Sequence, residues 1–193
     1  MIRNLPNILS LSRIAAIPAL VALAVSGTTT CDLLASAVFA AAGITDYLDG
    51  KLARDWQLTS DLGRMLDPIA DKLLVGACLM VLVGTGRAGT DGLFPALVIM
   101  LREILVSGLR EYLASARVRL PVTSLAKWKT GFQMAALGFL LAGDTGAAAV
   151  GIGWLPVRDC GIGMLWLAAA LTIVTGWGYL RIGIHHAVAS RDT

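Results

Sequence analysis

The sequence predicts an all-α, polytopic membrane protein: six transmembrane helices behind a short N-terminal amphipathic helix at the membrane interface. Three observations predict it. Of 193 residues, 56% are hydrophobic and only 15% charged, with a mean hydropathy of +0.74; a soluble domain carries roughly a quarter charged residues. The apolar residues fall in blocks of about 20, the length that crosses a bilayer core. Lysine and arginine are shared unequally between successive connectors.

The elements follow in order. Leu5, Ile8, Leu9 and Leu11 give the first segment, within residues 1–13, an apolar side, as in helices that lie in the interface. Pro6, Asn7, Ser10, Ser12 and Arg13 interrupt that run, and no small-x-small cleavage pattern precedes Cys31. The segment therefore reads as an interfacial helix leading into a retained span, not as a signal peptide. The six spans fall near 14–27, 33–53, 66–86, 93–115, 130–150 and 160–182, within 14–182, and 183–193 is a polar tail. Turn signals separate them: Gly27-Thr28-Thr29-Thr30, Gly84 to Gly92, and Gly151 to Pro156. Residues 1–193 make one domain. The 21 glycines suit close helix–helix approach in lipid. Cys31, Cys78 and Cys160 have no metal-ligand spacing, and neither a disulfide nor a zinc site is expected.

Orientation follows from the basic residues. Arg3, Arg13, Lys51, Arg54, Arg64, Arg110, Arg117, Arg119, Lys127, Lys129, Arg181 and Arg191 fall on one side, and only Arg87 and Arg158 on the other. Twelve against two places both termini and the 54–66 connector in the cytoplasm, with the protein in the cytoplasmic (inner) membrane. The net charge of +3 and pI of about 9.0 suit anionic headgroups and call for no nucleic acid.

Residues 46–72, DYLDGKLARDWQLTSDLGRMLDPIADK, carry four aspartates between two apolar runs. On a helix, Asp46, Asp49, Gly50 and Ala53 share one face, and Asp67 and Asp71 share a face of the next. The residues after Arg54 reverse the chain, with Ser60 or Asp61 as the cap of the returning helix. One such aspartate is accounted for as a cap, an interfacial residue, or a partner of Lys72 or Arg64. Four are harder to explain, because each charge costs about 2.5–3.5 kcal/mol at the centre of a span. Oxygen-only ligands select a hard divalent cation, Mg²⁺ or Mn²⁺. Four carboxylates balance two such ions, and paired ions suit phosphoryl chemistry. Arg54 adds a fork for phosphate oxygens.

The pattern Asp46-x2-Asp49-Gly50-x2-Ala53-Arg54-x8-Gly63-x3-Asp67-x3-Asp71 resembles, without a gap, the signature of the CDP-alcohol phosphatidyltransferases. The resemblance implies that Asp46, Asp49, Asp67 and Asp71 hold two metal ions. It implies that Asp71 is the general base toward the acceptor alcohol. It also implies that Gly50, Ala53, Arg54 and Gly63 border the CDP moiety, and that the protein is a homodimer. Three further stretches are similar to the branch of that family that makes phosphatidylglycerophosphate. They are Asn4-Leu5-Pro6-Asn7-x-Leu9-Ser10-x2-Arg13; Arg102-Glu103 with Ser107-Gly108-Leu109-Arg110; and Ala126-Lys127-Trp128-Lys129-Thr130 with Gln133.

A phosphorylated acceptor agrees with the charges. Arg102, Arg110, Lys127 and Lys129 are the expected ligands of its phosphate, Glu103 is placed to orient Arg110, and Ser124 to cap a helix whose amides add positive potential. The expected reaction carries the phosphatidyl group of CDP-diacylglycerol to sn-glycerol 3-phosphate. Serine, inositol phosphate or phosphatidylglycerol as acceptor is the alternative, and a divalent-cation transport path is the rival from a different class. Two motifs carry little. Gly84-Thr85-Gly86-Arg87-Ala88-Gly89 fits GxGxxG but follows a span rather than a strand. His185 and His186 are adjacent and point apart on a helix.

Overall fold

The structure, a computed structural model, describes residues 5–55, 61–116, 118 and 124–189, with the backbone alone at 5–7, 49–55, 61–62, 64 and 186–189. Among the described residues every regular element is a helix: α1 (Leu5–Val25), α2 (Thr29–Asp55), α3 (Asp61–Gly84), α4 (Gly89–Ser115), α5 (Ser124–Ala149) and α6 (Val157–Ala189). The turns between α1 and α2, α3 and α4, and α5 and α6 fall at the expected glycine-rich connectors. Among the described residues four stretches are long and apolar enough to cross a membrane: Ile8–Val25, Thr29–Leu48, Gly89–Ser115 and Val157–His185. The GxGxxG stretch joins two helices and offers no strand-to-helix phosphate loop.

The N-terminal segment expected to lead into the first span is continuous with it, since α1 runs unbroken from Leu5 to Val25. Its polar residues have a different purpose from the one expected. Ser10 and Arg13 are buried inside the bundle, while Ile8 and Leu11 face outward. Ser10 and Arg13 thus face protein, while Ile8, Leu11 and Ser12 face the surroundings.

The helices close a ring in the order α1–α2–α5–α6–α4–α3. The α3–α4 seam is the thinnest contact in the ring, and α3 also touches α5 across it. Leu20, Phe39, Leu82, Ile99, Leu137 and Leu165 fill the interior. Outside, Leu34, Met80, Phe94, Ile104, Trp154 and Trp177 are exposed. So much bare apolar surface is what a lipid-facing bundle presents, since tails solvate it as well as protein does.

Successive helices reverse direction. The starts of α1, α3 and α5 therefore share one end of the bundle with the ends of α2, α4 and α6, and every residue of the candidate site lies there. The opposite end is tied by ion pairs. Arg87 donates to Leu141 O at 2.9 Å, to Ala24 O at 2.8 Å and to the Asp32 carboxylate. Arg158 pairs with Asp91 at 2.9 Å. In the same half, α5 breaks at Gly143 (φ 64°, ψ 176°), a conformation that glycine alone adopts without strain. The three cysteines are unpaired.

Candidate active site

Two of the four carboxylates, Asp46 and Asp67, meet at a residue to which helical spacing alone assigns no role. Arg13, 2% exposed, reaches from α1 to both aspartate-bearing helices. Its Nη1 donates to Asp46 Oδ1 on α2, and its Nη2 lies 3.4 Å from Asp67 Oδ1 on α3. Ser10, one turn earlier, donates to the same Asp67 oxygen. An α-helical offset of three aims Ser10 and Arg13 the same way, and one guanidinium fork holds two carboxylates. Asp46 and Asp67 stay 44% and 43% exposed in their side chains, so water and ions reach them.

Asp46 and Asp67 bring two carboxylates from different helices onto one cationic group, oxygen ligands of the kind a hard divalent cation takes. Among the described residues no three acidic, His or Cys side chains form a ready-made cage. Asp49, Gly50, Ala53 and Arg54 lie on α2 in the register the sequence predicts, but their side chains are outside the described set. Gly63 is buried near the start of α3.

Asp71, one turn along α3 from Asp67, opens into a different space. It lines a cavity of about 180 Å³ with Lys72, Arg102, Glu103, Arg110, Lys129, Gln133 and Tyr179. Four helices supply this wall at i, i+4 spacing: Asp71 and Val75; Arg102, Val106 and Arg110; Lys129 and Gln133; and Tyr179. Four cations face two carboxylates here, so the cavity suits an anion.

The charges are held in place. Lys129, 6% exposed, pairs with Glu103, which also lies 3.5 Å from Arg102. Arg102 donates to Thr175 Oγ1 at 2.9 Å and sits 5.8 Å over the Tyr179 ring. Glu103 thus holds Lys129 and Arg102, not Arg110 as expected. Lys127 is exposed and outside the lining, whereas Lys72, not among the expected phosphate ligands, is part of it. Ser10 and Arg13 had one legible signal, two polar groups one turn apart in an apolar run, but their partners are 33 to 57 residues away.

An apolar groove of about 640 Å³ runs between α2 and α5, lined by Phe39, Gly43, Tyr47, Leu48 and Phe139 among others. Met134 borders both this groove and the polar cavity. Gly43 permits that junction: a Cβ there would sit 2.8 Å from Met134 Cε.

A bundle end that joins water-accessible carboxylates, a cationic cavity and a slot open to the surrounding lipid suits one class of protein, a membrane-embedded transferase. The family model described as CDP-alcohol phosphatidyltransferase matches residues 3–174. A CDP-diacylglycerol--glycerol-3-phosphate 3-phosphatidyltransferase of Rickettsia bellii is 43% identical over 178 residues, 92% of this chain and 94% of its own. One of the same name from Cereibacter sphaeroides is 36% identical over 208 aligned positions, with 92% and 94% covered. A cardiolipin synthase (CMP-forming) of Oryza sativa is 36% identical, over 92% of this chain and 56% of its own. The chain belongs to the CDP-alcohol phosphatidyltransferase family.

Proposed function

We propose that this chain transfers the phosphatidyl group of CDP-diacylglycerol to sn-glycerol 3-phosphate, giving phosphatidylglycerophosphate and CMP. The observation that carries the reading is the cavity in which Asp71 stands among Lys72, Arg102, Arg110 and Lys129. A phosphate monoester carries close to two negative charges at neutral pH. That matches an excess of two cations, and about 180 Å³ is room for a small polyol phosphate. The names of the two bacterial relatives point the same way.

In this mechanism Arg102, Arg110 and Lys129 bind the acceptor phosphate, and Lys127, outside the lining, contributes only long-range charge. Asp71 takes the proton of the primary hydroxyl as its oxygen attacks the lipid-linked phosphorus. The bond from that phosphorus to the CMP oxygen breaks, and CMP leaves with the electron pair. Asp71 then returns its proton to solvent. Gly50, Ala53, Arg54 and Gly63 border the CDP moiety, and the acyl tails lie in the groove beside Met134. Asp46, Asp49, Asp67 and Asp71 are the residues to hold two divalent cations, Mg²⁺ or Mn²⁺, which when bound offset charge on the pyrophosphate and on departing CMP. All six helices span the inner membrane, the site faces the cytoplasm, and the protein acts as a homodimer.

The test is CMP release by purified protein with CDP-diacylglycerol, Mg²⁺ and a panel of acceptors. Release with sn-glycerol 3-phosphate, and not with serine, inositol phosphate or phosphatidylglycerol, is expected. Failure with glycerol 3-phosphate and turnover with another acceptor would overturn the choice. Metal flux across vesicles without CMP release would replace the enzyme by a transporter.

A further inference from the structure

The cavity wall contains one group that a phosphate does not explain. Gln133 lies on α5 one turn from Lys129 and borders the cavity. It is 3% exposed, and its amide oxygen is fully buried with no hydrogen-bond partner among the described residues. Leaving a buried acceptor unpaired costs free energy on the order of that of a lost hydrogen bond, so such a group points to a missing donor. A phosphate dianion donates nothing and would be repelled by a carbonyl oxygen. A hydroxyl donates readily.

With Glu103 engaged by Lys129 and Arg102, the cavity offers Asp71 and Gln133 as acceptors for hydroxyls beside its cations. A substrate matched to it carries one phosphate and two hydroxyls, one to react and one only to be recognised. We infer that Gln133 is a specificity-determining residue that accepts a hydrogen bond from the secondary, non-reacting hydroxyl of the acceptor. This rests on the acceptor reading above and adds to it: the enzyme selects a polyol phosphate, not merely a phosphate with a primary alcohol. Lys129, held by Glu103 on the same face of α5, sets the register between the phosphate and Gln133.

Two acceptors distinguish the idea: sn-glycerol 3-phosphate and 3-hydroxypropyl phosphate, which lacks only the secondary hydroxyl. The wild-type enzyme is expected to prefer the first by about 10- to 100-fold in kcat/KM, the loss typical of one unpaired buried group. In Gln133→Met that preference falls to within about threefold of unity, because glycerol 3-phosphate loses its partner and the analogue has none to lose. Gln133→Leu takes its place if the methionine variant does not survive extraction as a folded protein. Gln133→Glu, which keeps an acceptor oxygen, retains the preference. If the acceptor-less variants lower both acceptors equally and keep the ratio, Gln133 is only a packing residue and the inference fails alone. If the wild-type enzyme ignores glycerol 3-phosphate and uses a different alcohol, the acceptor reading fails and takes this inference with it.

Discussion

Arg87 and Arg102 stand toward opposite ends of the bundle, and they use their donors in different ways. At one end Arg87 is spent on its surroundings: two backbone carbonyls and the Asp32 carboxylate take its donors and tie α1, α2 and α5 to the α3–α4 turn. At the other end Arg102 is held by Thr175, Glu103 and Tyr179, yet it lines a cavity. Burial alone does not distinguish the two. A charge spent on backbone carbonyls holds helices together, whereas a charge positioned at a cavity wall is placed for a ligand. Gln133 stands on the same side of that line as Arg102.

Substitutions can break or sharpen this contrast. The largest effect is expected at Asp71. Asp71→Asn should lower CMP release by about 10²- to 10⁴-fold, the usual weight of a general base, with the melting temperature in detergent little changed. A large melting shift would return Asp71 to the structural group. Next comes Arg87→Ala, which leaves Asp32 buried without its cation. Thermal unfolding should show a loss of about 3–5 kcal/mol, while kcat/KM of the protein that remains folded stays near normal. Third, Arg102→Ala should raise KM for glycerol 3-phosphate by about 10- to 100-fold, as expected for a charge-assisted contact. KM for CDP-diacylglycerol should move far less, and equal changes in the two would refute a role confined to the acceptor. The smallest effect is expected at Lys127, outside the lining: Lys127→Ala should change kcat/KM by about twofold or less, and that change should vanish at high salt.

Much of this site is legible in the sequence because helices repeat. Offsets of three and four suffice to put Asp46 with Asp49, and Asp67 with Asp71, on single faces. The same rule gathers Arg102, Val106 and Arg110, and Lys129 with Gln133. What periodicity cannot supply is the partner across the bundle. Spacing matches Glu103 to Arg110 on its own helix, but it meets Lys129 on α5. Arg13 reads as an interfacial residue because its two aspartates are distant in sequence. The break at Gly143 is equally hidden, since nothing in the sequence marks it off from the other glycines, and only the folded chain shows that its left-handed backbone falls inside a helix.

Met134 has a consequence for kinetics. A single thioether separates an oily slot from a watery chamber, so under the proposed reaction the donor lipid never leaves its leaflet. One reactant then searches a surface and the other a volume. Velocity in mixed micelles should follow the mole fraction of donor in the surface, not its bulk molarity, while the acceptor obeys ordinary concentration. Diluting the micelles with inert detergent at constant total donor would therefore slow the enzyme as surely as removing substrate.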